Sequence, residues 1–282
     1  MMESLQSLAG SAGWAGPAGL VVLALVTFLA AAVNSVAGGG TILTFPVLAA
    51  ILPADPTRLV TANATSTIGL WPGAVAAAWA YRGERAGQPP WTRWTRWLLL
   101  PSVAGAIAGA LLVIALPPQW FDALVPWLIL TAALLFTLQP YLTNVRGVSL
   151  VTAVPQDATP ANIPLACLLQ FLVALYGGYF GAGIGILMLA MLGMLGLGDI
   201  HRLNAVKNVL GMLVNGAAAG LFAAGALVGG QEVSWPHAAV MAAAAIAGGF
   251  AGSALARRLP ARIVRRGVAI IAFALAGYYF VA

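Results

Sequence analysis

The chain has 282 residues, of which 61% are hydrophobic and only 7% charged, with a mean hydropathy of +0.95. Soluble domains carry about 25% charged residues, so composition excludes a water-soluble fold and predicts an all-α polytopic integral membrane protein. The net charge of +6 marks no nucleic-acid partner, because the basic residues fall in loops between apolar spans, as the positive-inside rule expects.

Residues 1–16 contain no Lys or Arg. They lack the basic n-region of a secretory signal, so the first apolar stretch, about Gly19 to Val33, is expected to be retained. It ends in Asn34-Ser35-Val36-Ala37-Gly38-Gly39-Gly40-Thr41, and a second short apolar run follows from Thr41 to Leu52. Each run is about 12–15 residues, short of the ~20 that a straight membrane helix needs. Three consecutive glycines beside Asn, Ser and Thr predict a helix break rather than a packing face, because Gly is costly inside a helix and free outside one. Pro53-Ala54-Asp55-Pro56 closes the pair. A longer span follows from about Leu59 to Ala80, with an expected kink at Trp71-Pro72-Gly73. Residues 82–96 interleave Arg82, Arg85, Arg93 and Arg96 with Trp91 and Trp94, the pattern of an interfacial anchor beside a membrane. Spans at about 97–116 and 120–140 are separated by Pro117-Pro118-Gln119, and a polar connection leads to residue 162.

The second half repeats this plan. An apolar run from about Ile163 to Tyr176 meets Gly177-Gly178-Tyr179-Phe180-Gly181-Ala182-Gly183-Ile184-Gly185, and a short run continues to Leu197. Spans at about 203–228, 236–256 and 263–281 complete the chain, with Arg257, Arg258, Arg262, Arg265 and Arg266 between the last two. Cys167, the single cysteine, has no partner for a disulfide and is expected to pack within its span. No CxxC, HExxH or Cys/His ligand cluster is present, so neither a metal nor another cofactor is expected.

Shifting the numbering by 145 carries Ala37-Gly38-x-Gly40 onto Ala182-Gly183-x-Gly185, and by 144 carries Asp55-x-x-Arg58-Leu59 onto Asp199-x-x-Arg202-Leu203. A shift of 143 carries Gly73 onto Gly216 and the stretch 103–109 onto 246–252. Ordered matches of this kind predict a tandem duplication, with a first repeat over 17–141, a connecting loop over 142–162 and a second repeat over 163–282. The basic stretches 82–96 and 257–266 correspond to uncharged or acidic turns in the opposite copy. A loop and its copy therefore belong on opposite faces, which five segments per half would produce. The expected fold is an inverted repeat of about ten membrane segments, or eight if each glycine-broken pair counts as one.

In inverted-repeat transporters the substrate sits near the midplane, where broken helices point their termini at it. New helices starting near Thr41 and Gly185 would offer free N–H groups and about +0.5 e each, which suits a small anion. Gly38, Gly39 and Gly40 with Gly181, Gly183 and Gly185 would shape this cradle, and Asn34, Ser35, Thr41 and Tyr179 would supply hydrogen bonds. Lys207, with Asn208 beside it, is an intramembrane cation and a site candidate on that ground, although it could instead snorkel to the interface with Arg202. A shift of 144 carries Asn63 onto Lys207. The Asp55/Arg58 and Asp199/Arg202 pairs read as helix-start caps or local ion pairs, and His201 and His237 as interfacial residues. Gly105-x-x-x-Gly109, Gly216-x-x-x-Gly220 and Gly248-x-x-x-Gly252 read as packing faces.

The Asn34–Thr41 motif, paired with Gly178-Tyr179-Phe180-Gly181-Ala182-Gly183-Ile184-Gly185, resembles the TauE/SafE sulfite exporter family of membrane transporters over essentially the whole chain. The resemblance implies transport of sulfite, organosulfonates or related sulfur-containing anions, with members differing in substrate and direction. The function expected is a secondary transporter or exporter, multi-pass in the cell membrane, whose partners are a small anion and the lipid bilayer. The coupling ion and self-association are left open. The alternative is a channel-like or structural membrane protein whose glycines only pack helices. An enzyme is not expected, since no nucleophile–base pair is present. Single-cysteine labelling in intact cells should find 82–96 and 257–266 on the same, cytoplasmic side; labelling on opposite sides would overturn the inversion.

Overall fold

The computed structural model of the chain describes residues 16–36, 40–80, 95–144, 162–195, 200–255 and 261–281. Gly38 and Gly39, most of both basic loops and nearly all of the 142–162 connection lie outside the described residues. Those described are helical, and no strand occurs among them. The helices are α1 (Pro17–Val36), α2 (Thr41–Ile51), α3 (Arg58–Ala80), α4 (Thr95–Ala115), α5 (Pro118–Asn144), α6 (Ile163–Tyr179), α7 (Ile184–Met194), α8 (Ile200–Leu227), α9 (Trp235–Leu255) and α10 (Ala261–Val281).

Four stretches among them, Pro17–Ser35, Thr95–Ala115, Pro118–Leu135 and Leu203–Leu227, are long and apolar enough to cross a membrane. Their surfaces fit that solvent. On α1, Val21, Leu25 and Leu29 recur every fourth residue and are exposed, a stripe that lipid rather than water would cover. Trp79, Trp97, Trp120 and Trp235 are exposed close to helix ends, where indole rings favour the headgroup level. By contrast α2 and α7 have 11 residues each. That is about 16 Å of helix, roughly half of a ~30 Å hydrocarbon core.

Among the described residues α1 ends at Val36, and α6 ends at Tyr179 ahead of a turn at 180–183. The helix resumes at Thr41 and at Ile184, and neither N-cap, Gly40 or Gly183, makes a side-chain capping bond. Asn34 and Ser35 belong to the last turn of α1 rather than to the break itself. Pro72 lies inside α3, which runs from Arg58 to Ala80 without interruption. Asp55 marks the start of α3 by accepting from the Thr57 N–H and hydroxyl, both at 2.8 Å. Cys167 is partly buried, its thiol 3.5 Å from the Trp97 carbonyl.

Helices of the first half pack chiefly on helices of the second. A Cβ on Gly105 would strike the Phe171 carbonyl oxygen and lie 2.9 Å from Ala174 Cβ, so α4 lies backbone to backbone on α6. A Cβ on Gly248 would strike the Phe28 carbonyl oxygen and lie 3.0 Å from Ala31 Cβ, so α9 lies in the same way on α1. Gly109 meets the Leu175 carbonyl, and Gly252 meets Ala32 and the Ser35 hydroxyl. Glycine 105 and glycine 248 are 143 positions apart, and so are their partners Phe28 and Phe171, and Ala31 and Ala174. With no water to expel between helices, such close approach supplies the dispersion contacts that hold a membrane bundle together. Gly216 packs on the Trp71 indole, whereas a Cβ on Gly220 would meet nothing within 4 Å, so that motif packs through one glycine only.

Segments 53–57 and 228–234 meet at one end of the bundle, where the Thr57 hydroxyl donates to Glu232 at 3.0 Å. Replacing Gly105 or Gly248 by Leu should destabilise the protein by about 1–3 kcal/mol or more, read as a lowered midpoint of thermal unfolding in detergent. Gly220→Ala should cause no loss, being unobstructed and a better helix former.

Candidate functional site

The start of α2 touches the turn between α6 and α7. A Cβ built on Gly181 would lie 3.6 Å from the Thr41 hydroxyl and 3.8 Å from Asn215 Oδ1, so the start of α2 and the second break face each other inside the protein. Gly181 and Gly183 both have φ of +78°, a left-handed conformation that costs a side-chain-bearing residue roughly 1–2 kcal/mol. They let the chain turn from α6 into α7 within four residues. The Tyr176 hydroxyl braces that turn by donating to the Ala182 carbonyl at 2.7 Å. Phe180 packs with Phe45 of α2 at a ring separation of 5.3 Å and with Phe121 of α5 at 6.3 Å, which anchors the break laterally.

Each half then reaches into the other half's break. Lys207 of α8, only 3% exposed, directs its ammonium to the carbonyls of Asn34 and Ser35 at the end of α1, both at 3.4 Å. Asn208 Nδ2 lies 3.5 Å from the same Ser35 carbonyl. From the opposite direction, Asn63 of α3 donates through Nδ2 to the Tyr179 carbonyl at the end of α6, at 3.0 Å. Lys207 is therefore buried inside the bundle rather than snorkelling. Its partners are the carbonyl oxygens of a helix C-terminus, where the partial charge is negative, and no carboxylate pairs with it among the described residues.

Around Lys207 lies a cavity of about 20 Å³, bordered by Asn34, Ser35, Ala74, Gly185, Asn208 and Asn215 among others. Of the sequence-predicted residues, Asn34, Ser35, Gly185, Lys207 and Asn208 thus share one wall. Thr41 faces Gly181, Asn63 meets the Tyr179 carbonyl, and Gly40 packs on Ala30 and Asn34; Gly40, Thr41, Asn63, Tyr179 and Gly181 do not border that cavity. Gly183 is turned toward Ala132 of α5, and Gly38 and Gly39 lie outside the described residues. The Ser35 hydroxyl is committed to the Ala32 carbonyl at 2.8 Å, so this residue serves Lys207 through its backbone.

Asn215, Met212 and Gly211 also line the cavity and are not among the sequence-predicted residues. A signal was present, since positions 207, 211 and 215 recur every fourth residue and share one helical face. At the end of the bundle where 53–57 meets 228–234 there is a second, larger cavity of about 520 Å³, bordered by Asp55, Arg58, Thr61, Glu232, Ser234 and Trp235 among others.

The model of one family, described as Sulfite exporter TauE/SafE, matches residues 23–279. A probable membrane transporter protein, ORF9, from Sinorhizobium sp is 31% identical over 91% of this chain and 90% of its own length. A probable membrane transporter protein from Haemophilus influenzae is 27% identical over 90% of this chain and 91% of its own length. No solved structure matches the chain.

Gly183→Ala should lower stability by roughly 1–2 kcal/mol from the left-handed conformation alone, since the position itself has room, with Ala132 Cβ 3.5 Å away. Gly193→Ala, unobstructed within α7, is the control and should cost nothing in the same thermal unfolding measurement.

Proposed function

The chain belongs to the sulfite exporter TauE/SafE family, and from that membership we propose a secondary transporter that moves a small sulfur-containing anion, sulfite or an organosulfonate, across the cell membrane. The observation that carries the anion is Lys207. The buried Lys207 amine lies against carbonyl oxygens, no carboxylate pairs with it among the described residues, and an uncompensated charge is costly in a low-dielectric interior. An anion at Lys207 would supply that charge and would face the N-terminus of α7, where Gly185 borders the same cavity and the helix dipole favours negative ligands. Asn34, Asn208 and Asn215 at the cavity wall would orient it by hydrogen bonds. Gly40, Thr41, Asn63, Tyr179, Gly181, Gly183 and Gly185 would shape the surrounding breaks, with Gly38 and Gly39 completing the first.

The arrangement proposed is an inverted repeat, 17–141 against 163–282, with ten segments of which α2 and α7 re-enter halfway. Six helices separate 53–57 from 228–234, and an even number of passes returns the chain to the same face, in agreement with the Thr57–Glu232 contact. Counting α6 and α7 as one crossing would leave five passes and separate those loops by the membrane. The matched contacts of Gly105 and Gly248 support the same reading.

A cavity of about 20 Å³ has room for about one water. The conformation is thus closed over Lys207, and substrate would enter by movement of one repeat against the other, the usual route to alternating access. Sulfite flux into proteoliposomes should be saturable, should fall at least about tenfold in Lys207→Met, as for loss of a buried charge-assisted contact, and should be partly retained in Lys207→Arg. Unchanged flux in Lys207→Met would remove Lys207 from the site.

A further inference from the structure

One face of α8 borders both cavities. Gly211 and Asn215 line the one at Lys207, and Ala226 lines the larger one. At 3.6 residues per turn, positions 207, 211, 215, 218, 222 and 226 fall within an arc of about 100°, and the rise from Asn215 to Ala226 is about 16 Å. Between the cavities that face presents Ala218 and Phe222, both completely buried. Phe222 lies near the middle of the arc. An alanine is too small to close such a stretch, so the barrier on this face is the Phe222 ring. The larger cavity lies at the end of the bundle opposite the basic stretch 82–96, since α3 runs without interruption from Arg58 there to Ala80. Exposed Asp55 and Glu232 border it, both hydrogen-bonded to Thr57. Arg58 at the same border offsets one of those charges, so this cavity does not hold an anion by itself; the buried cation is Lys207. Past the mouth the Ser234 N–H donates to Thr65 Oγ1 at 3.0 Å, so the segment that follows α8 is tied to α3 at two levels.

We propose that this face of α8 is one wall of the substrate path, with the larger cavity as its outer vestibule and Phe222 as the seal between vestibule and Lys207. A bulky apolar side chain across a narrow passage stops an ion by excluding the water that would hydrate it. Turning one ring between rotamers, or a small shift of α8, would join the two cavities without unpacking the bundle. Phe222 closes the path and binds nothing; the anion is held by Lys207 and the amides beside it. What passes the seal rests on the transporter reading above. That Phe222 separates the two cavities does not.

Modification of Gly211→Cys in a Cys167→Ala background tests this. Position 211 borders the Lys207 cavity, and a Cβ there would meet nothing within 4 Å. The probe is the membrane-impermeant anion sulfonatoethyl methanethiosulfonate, applied to right-side-out and to inverted vesicles. From the outside, modification should be slow with Phe222 intact. Phe222→Ala should speed it by about tenfold or more, as expected where a large core side chain is removed. Phe222→Leu, the milder change, should speed it by about threefold. Phe45→Ala removes an equally buried ring from α2 and should leave the rate unchanged, which separates a seal from general loosening. An unchanged rate in both Phe222 variants, equal acceleration by Phe45→Ala, or acceleration in inverted vesicles alone overturns the proposal. Acceleration by Phe222→Ala with no sulfite flux in the wild type would remove the substrate assignment and leave the seal standing. Sulfite flux in the wild type with no acceleration would do the reverse.

Discussion

In hydrocarbon there is no water to take up a free N–H or C=O, so a helix that stops inside a bilayer must have its ends met by other parts of the same protein. The described part of α1 ends at Val36, and α6 ends at Tyr179. The groups that meet those ends come from the opposite half. Lys207 reaches the carbonyls of Asn34 and Ser35, and Asn63 reaches that of Tyr179. These contacts associate the two halves at the helix ends. Glycines 105, 109, 248 and 252 serve that association by letting α4 and α9 approach α6 and α1 at backbone distance.

The same constraint gathers the polar chemistry. Side chains that would be scattered liabilities on a lipid face are drawn to the breaks, where carbonyl and amide groups await partners. Thr44 and Ser66 pair at 2.7 Å behind the first break, and Gln170 and Ser102 pair at 2.8 Å between α6 and α4. Lys207 differs from these, because a carbonyl partner satisfies its hydrogen bonds without neutralising its charge.

Much of this was legible before any coordinates. The second helices begin at Thr41 and Ile184 because glycine runs are poor helix and strained chain at once, a property local to a few residues. The packing role of Gly105 and Gly248 followed from their four-residue spacing with Gly109 and Gly252, yet the same spacing at Gly216 and Gly220 misled for the second glycine, which faces open space. A small-residue motif states that a close approach is permitted, not that a neighbour takes it up. Asn215 had the right spacing from Lys207 but, alone in an apolar span, no chemical partner to distinguish it. Tyr176 carried no signal, since its role depends on where the turn returns the Ala182 carbonyl.

By itself the sequence determined a helical membrane protein and its family, because composition and local motifs act through short-range propensity and transfer free energy. Only the tertiary structure decided that the start of α2 at Thr41 touches the turn at Gly181, that Ser35 serves through its carbonyl and not its hydroxyl, and that Lys207 points into the bundle. The physical reason is that every residue carries the same backbone carbonyl. Which of them becomes the partner of a buried cation has no residue type to announce it and follows from how two distant helices are packed.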